Sequence, residues 1–97
     1  MEMRKGVLIV LEDGRERFLK YTLNSLRILE KDYGVKLDKL DKDFSLEMVQ
    51  ALLHVGLLKD DPEITFEEVG DLVDMGNINM VTTKLTEALG GLQKPKA

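Results

Sequence analysis

The segment Leu46 to Val55 restricts the fold more than any other stretch, because its only polar residues are Glu47, Gln50 and His54. At helical spacing those three fall in one narrow stripe and the rest of the circumference is apolar. A helix of that kind must be covered on most sides, so it is expected to be the central element of the core. Ser45 is a suitable N-cap for it and Gly56 a suitable stop. Ninety-seven residues, 43% of them hydrophobic and 33% charged, suffice to bury one such core and leave no room for two.

The remaining elements are read around that helix. Val7-Leu8-Ile9-Val10-Leu11 is rich in β-branched residues, Asp13-Gly14 is a favoured turn pair, and apolar residues resume at Phe18. This predicts a β-hairpin over 6–21, with Leu19, Tyr21 and Leu23 sharing a face. An isolated hairpin is marginal in water, so it must pack on the helical remainder of the chain. From Thr22 or Asn24 the period becomes helical, with Leu26, Leu29 and Tyr33 on one stripe and Gly34 placed for a left-handed cap. Val35 to Phe44 alternates Lys and Asp around Leu37 and Leu40 and reads as a solvated connector.

A loop over 57–64 leads to Thr65-Phe66-Glu67-Glu68, which matches a capping box and starts a third helix. Phe66, Val69, Gly70 and Val73 are expected on its inner face, and Glu67, Asp71 and Asp74 on its outer face as an acidic stripe. Met75-Gly76-Asn77 breaks the period. A last helix is predicted from Ile78 to Leu89, carried by Ile78, Val81, Leu85 and Ala88 and stopped by Gly90-Gly91. The expected architecture is α+β, mainly α: an N-terminal β-hairpin packed on a bundle of about four short helices. It is read as one domain over 1–97, with the hairpin at 6–21, a helical body at 22–90 and a frayed tail at 91–97.

Several chemistries are disfavoured by the residues themselves. There is no cysteine, which removes disulfides, thiolate metal sites and a cysteine nucleophile, and suits an intracellular address. The five-residue apolar run at Val7 to Leu11 is too short for a signal-peptide core or a membrane span. His54 has no second histidine to share a metal and reads as a partly buried structural residue. Ser25 and Ser45 look like helix-start residues rather than nucleophiles. Asp41-Lys42-Asp43 opens like a calcium loop, but Leu46 and Leu52 stand where that loop needs a glycine and an acid. The glycines are too scattered to wrap a phosphate. No enzyme activity, cofactor or metal is expected.

Charge is uneven along the chain. Residues 1–44 hold ten Lys/Arg against nine Asp/Glu, whereas residues 45–97 hold four against nine. A helix-turn-helix over Leu46 to Asp74 would set the carboxylates of its second helix against phosphates, so nucleic acid is not an expected partner. What remains are surfaces. Glu67, Asp71 and Asp74 are candidate partner-binding residues through their charge. Val7 and Ile9 are candidates through a strand edge that could accept a strand from another subunit.

Four strings in order carry a family resemblance: Gly14-Arg15-Glu16; Tyr21-Thr22-Leu23-Asn24-Ser25-Leu26 with Leu29-Glu30 and Tyr33-Gly34; Ala51-Leu52-Leu53-His54-Val55-Gly56-Leu57; and Ile64-Thr65-Phe66-Glu67-Glu68-Val69-Gly70. Over roughly residues 12–75 the chain resembles the small tail-assembly chaperones of long-tailed phages, in particular the branch of gene transfer agents and Gram-positive prophages. The similarity fades over Gly76 to Ala97.

The resemblance implies a cytoplasmic, non-enzymatic protein that coats the tape-measure protein, recruits tail-tube subunits during tail assembly, self-associates, and is absent from the finished virion. It also implies that a ribosomal frameshift could add a second domain, with Gly90 to Ala97 as a place for the junction. Neither nucleic acid nor membrane is an implied partner. Two other readings stay open: a small head-tail joining subunit retained in the particle, and a regulatory, antitoxin-like module that binds a host protein.

Overall fold

The turn Leu11 to Arg15 reverses the chain because Gly14 adopts φ 77° and its N–H donates to the Leu11 carbonyl at 2.9 Å. Strand β1 (Val7–Val10) thereby pairs antiparallel with β2 (Glu16–Leu19), in a register that sets Val7 against Leu19 and Ile9 against Arg17. Four helices follow: α1 (Leu23–Tyr33), α2 (Leu46–Leu57), α3 (Phe66–Asp71) and α4 (Ile78–Gln93). The fold is α+β and mainly α, an N-terminal hairpin on four helices. The computed structural model describes residues 6–35 and 45–93, so the connector expected over Val35 to Phe44 lies, except for Val35, outside the described residues, as does the end of the tail at 94–97.

Helix α2 is the hub, packed against α1, α3, α4 and β2. Val49, Ala51, Leu52, Leu53, Val55, Gly56 and Leu57 are all buried, as its nearly all-round apolar composition demands. The inner face of the hairpin supplies Ile9, Leu11 and Leu19 to the same core, and α4 closes it with Val81, Leu85 and Leu89.

The helix starts obey their caps. Ser45 accepts the Met48 amide, and Thr65 and Glu68 each accept the other's backbone N–H at 2.9 and 3.0 Å. Thr22 caps α1 by the same reciprocal device, with Ser25 in the place usually taken by Glu or Gln. Gly34 ends α1 at φ 68°.

Four expectations are corrected. Gly56 does not stop α2, which continues to Leu57 with Leu58 as its cap. A β-carbon at Gly56 would sit 2.6 Å from the Tyr21 hydroxyl oxygen and 2.9 Å from Leu19 Cδ2, so the glycine makes room for the hairpin's outgoing strand. Lys20 N–H donates to the Gly56 carbonyl at that crossing, 2.9 Å away.

Leu23 does not share a face with Leu19 and Tyr21. It is the first residue of α1 and 74% exposed, because strand alternation ends when Thr22 becomes a cap.

Helix α3 stops at Asp71, so Val73 and Asp74 belong to the turn before α4. Finally, α4 runs through Gly90 and Gly91 to Gln93, past the expected boundary of the tail. Two glycines lower helix propensity by about 1 kcal/mol each without forbidding a helix.

Candidate functional site

An apolar groove of about 350 Å³ lies where α2 meets α3 and the start of α4. Val49 and Leu53 of α2 form its floor with Val69 of α3, and Val73 and Ile78 form the far wall. Leu46 and Met75 stand at its margins, 79% and 91% exposed. Exposed aliphatic side chains beside a greasy concavity are the kind of surface that globular chains normally cover. Helix α3 ends at Asp71, and Val73, Asp74 and Met75 of the turn that follows line the groove.

Beside the groove lie the sequence-derived acidic candidates, which the structure separates. Glu67 and Asp71 are exposed on α3, and Asp71 lines a second, polar recess together with Arg15, Arg17, Asp61 and Glu68. Asp74 borders the apolar groove instead. Its carboxylate is already used, since Oδ1 accepts the amides of Gly76 at 2.8 Å and Asn77 at 3.2 Å while Asn77 Oδ1 accepts the Asp74 amide. The trio is therefore two surface carboxylates plus one turn-forming carboxylate, rather than one continuous stripe.

The hairpin candidates also change character. Ile9 is 1% exposed and belongs to the core, and Val7 is half-buried against it. The exposed face of β1 carries Leu8 and Val10. Strand periodicity alone does not say which of the two alternating sets faces out.

Two polar clusters hold these surfaces in place. Arg17, 2% exposed, sits on the core side of β2 and makes two parallel hydrogen bonds to Asp13, at 2.8 and 3.1 Å, while its Nε donates to Asp61 at 3.2 Å. The paired guanidinium pulls the Asp13 carboxyl down from its ordinary 3.8 to about 2, and the same carboxylate raises the affinity of Arg17 for its proton. This cluster ties the hairpin to the α2–α3 loop. Nothing in the apolar pattern foretold it, since an arginine between Glu16 and Phe18 reads as a solvated strand residue.

His54 forms the other tie. Its Nε2 donates to the Ile64 carbonyl at 3.0 Å, which leaves Nδ1 to accept from the Tyr33 hydroxyl at 2.8 Å. The Phe66 ring stacks on Tyr33 at 5.5 Å between centroids. Burial raises the Tyr33 pKa, with Asp32 adding to the shift. One imidazole thus ties α2 to α1 and to the loop before α3, and it meets the Phe66 ring of α3 edge-on at 6.2 Å between centroids.

Among the described residues no three His, Asp or Glu side chains converge as a metal site would need, and no helix is long and apolar enough to cross a membrane. Compared with known proteins, the chain matches no family model, no curated protein and no solved structure.

Proposed function

We propose that this chain is a phage or prophage tail-assembly chaperone that binds the tape-measure protein and recruits tail-tube subunits to it in the host cytoplasm. The observation that carries the reading is the apolar groove flanked by exposed Leu46 and Met75. A tape measure is a long amphipathic helix whose apolar stripe would aggregate if left bare. A shallow groove of aliphatic side chains is a suitable seat for part of such a stripe.

Charge supports the same partner. From Ser45 to Ile78 the sequence holds eight carboxylates, with Lys59 the sole lysine or arginine. A helix bearing lysines beside its apolar stripe would be drawn to that surface and oriented on it. Each copy offers only one short groove, so each contact is weak and many copies are needed along one template. Such contacts remain reversible when tube subunits displace them.

Co-expression tests the reading. If the gene lies between a tail-tube gene and a long tape-measure gene, the tape-measure polypeptide is expected to be soluble and bound to this chain when the two are made together. It is expected to precipitate when made alone. Finding the chain as a stoichiometric component of purified particles would favour the head-tail joining subunit and contradict the chaperone.

A further inference from the structure

Sulfur is confined to methionine in this chain, which has five methionines and no cysteine. Met48 and Met80 are partly buried against the core, and Met1 and Met3 lie outside the described residues. Met75 differs from the first two. At 91% exposure it is the most exposed large apolar side chain among the described residues, and it lines the groove between α2, α3 and α4.

The backbone that presents Met75 is fixed without help from its side chain. Asp74 Oδ1 accepts the amides of Gly76 and Asn77, Asn77 Oδ1 accepts the Asp74 amide, and Asn77 Nδ2 donates to the Leu72 carbonyl at 3.0 Å. None of these bonds involves the thioether. A chemical change at the sulfur therefore alters the surface of the groove and leaves the α3–α4 turn standing.

The change available to a thioether is oxidation by a peroxide. A sulfur lone pair attacks one oxygen of hydrogen peroxide, an S–O bond forms as the O–O bond breaks, and the other oxygen leaves as water. Sulfur gives up two electrons and the peroxide takes them. The sulfoxide that results is polar and chiral, and a methionine sulfoxide reductase returns it to the thioether with two thiols as the electron source. An exposed position admits both the oxidant and the reductase.

The groove offers a sulfoxide oxygen little in return for its water. Gln50 Nε2 already donates to the Phe66 carbonyl at 2.9 Å, the Asp74 carboxylate only accepts, and the rest of the lining is aliphatic. Covering the oxygen with the apolar stripe of a partner would strip its hydration without replacing it.

We propose that Met75 is a reversible oxidation switch on this groove. As a thioether it extends the apolar surface that a partner helix covers, and as a sulfoxide it lowers the affinity of the groove for that helix. Leu46 stays apolar in both states, so oxidation weakens binding and does not abolish it. The inference rests on the chaperone reading, which supplies the partner.

The test begins with the intact chain in hydrogen peroxide, oxidation of each methionine being followed by peptide mass. Met75 is expected to oxidise about tenfold or more faster than Met48 and Met80, with an unchanged circular dichroism spectrum. After removal of the peroxide, the chain is titrated with a lysine-bearing amphipathic segment of the tape-measure polypeptide. Affinity is expected to fall about tenfold and to recover after treatment with a methionine sulfoxide reductase and dithiothreitol. Met75→Leu keeps an apolar side chain without the sulfur. It is expected to bind as the unoxidised wild type does and to lose nothing on exposure to peroxide, which separates Met75 from every other methionine.

Oxidation of Met48 or Met80 as fast as Met75, equal affinity before and after oxidation, or a Met75→Leu chain as sensitive to peroxide as wild type would each overturn the switch and leave the chaperone reading in place. Absence of binding by the unoxidised wild-type chain would overturn both.

Discussion

The Tyr21 ring occupies the space that a side chain on Gly56 would need: its Cζ lies 2.7 Å from where a β-carbon would stand. The Tyr21 hydroxyl reaches past the glycine and donates to the Leu52 carbonyl one turn earlier, and its burial strongly disfavours ionisation. This one crossing fixes how the hairpin sits on α2. It also gives the first prediction. Gly56→Ala gains about 1 kcal/mol of helix propensity but overpacks the crossing, and a net loss of about 1–2 kcal/mol is expected in denaturant melts. In a Tyr21→Ala background the loss is expected to shrink, since only the 2.9 Å contact with Leu19 Cδ2 is then left. A loss of equal size in both backgrounds would contradict the contact.

Removing the buried guanidinium takes away the hydrogen bonds of Asp13 and Asp61 and leaves the pair only the exposed Arg15, 3.5 Å from Asp61. Arg17→Ala is expected to lower stability by about 3 kcal/mol, as for other broken buried pairs. Lys at the same position keeps the charge but not the parallel hydrogen bonds and is expected to recover only part of the loss. Chemical unfolding of the three proteins checks the order.

Acid sensitivity follows from Asp13. Its carboxyl titrates at about 2 in the folded chain against 3.8 ordinarily. The stabilisation is therefore fully present above pH 3.8 and is lost as pH falls through about 2. Asp13→Asn is expected to be less stable than wild type at neutral pH, with the difference vanishing near pH 2. A difference between the two proteins that is constant from pH 7 to pH 2 would exclude this linkage.

Charge reversal on the acidic surface separates its members. Glu67→Lys with Asp71→Lys is expected to leave the helical circular dichroism intact and to weaken binding of a lysine-rich helical partner. Asp74→Lys is expected to destabilise the chain by about 1–2 kcal/mol, because it removes the acceptor for the Gly76 and Asn77 amides. Thermal melts of the two variants side by side distinguish a surface charge from a structural one.

Much of the architecture was legible in the residues because local chemistry and tertiary packing agree. Ser45, Gly34 and the Thr65–Glu68 pair act as their types predict, and α2 is buried as its composition requires. The misses share one cause, a residue whose local meaning is outvoted by a neighbour distant in sequence. Gly56 reads as a stop until Tyr21 is laid across it, and Arg17 reads as solvated until Asp61 arrives from 44 residues away. The groove could not be read either. Leu46 and Met75 look like an ordinary helix start and an ordinary turn, and only the tertiary packing of α2 beside the α3–α4 turn brings them to one hollow.

Titration of a labelled, lysine-bearing amphipathic segment of the neighbouring tape-measure polypeptide decides whether the groove is the working surface. Wild type is compared with Leu46→Lys/Met75→Lys, a change at two exposed positions outside the core. The groove account predicts saturable binding by wild type and a loss of about tenfold or more in the variant, with both proteins equally folded. Equal affinity for the two proteins would contradict it.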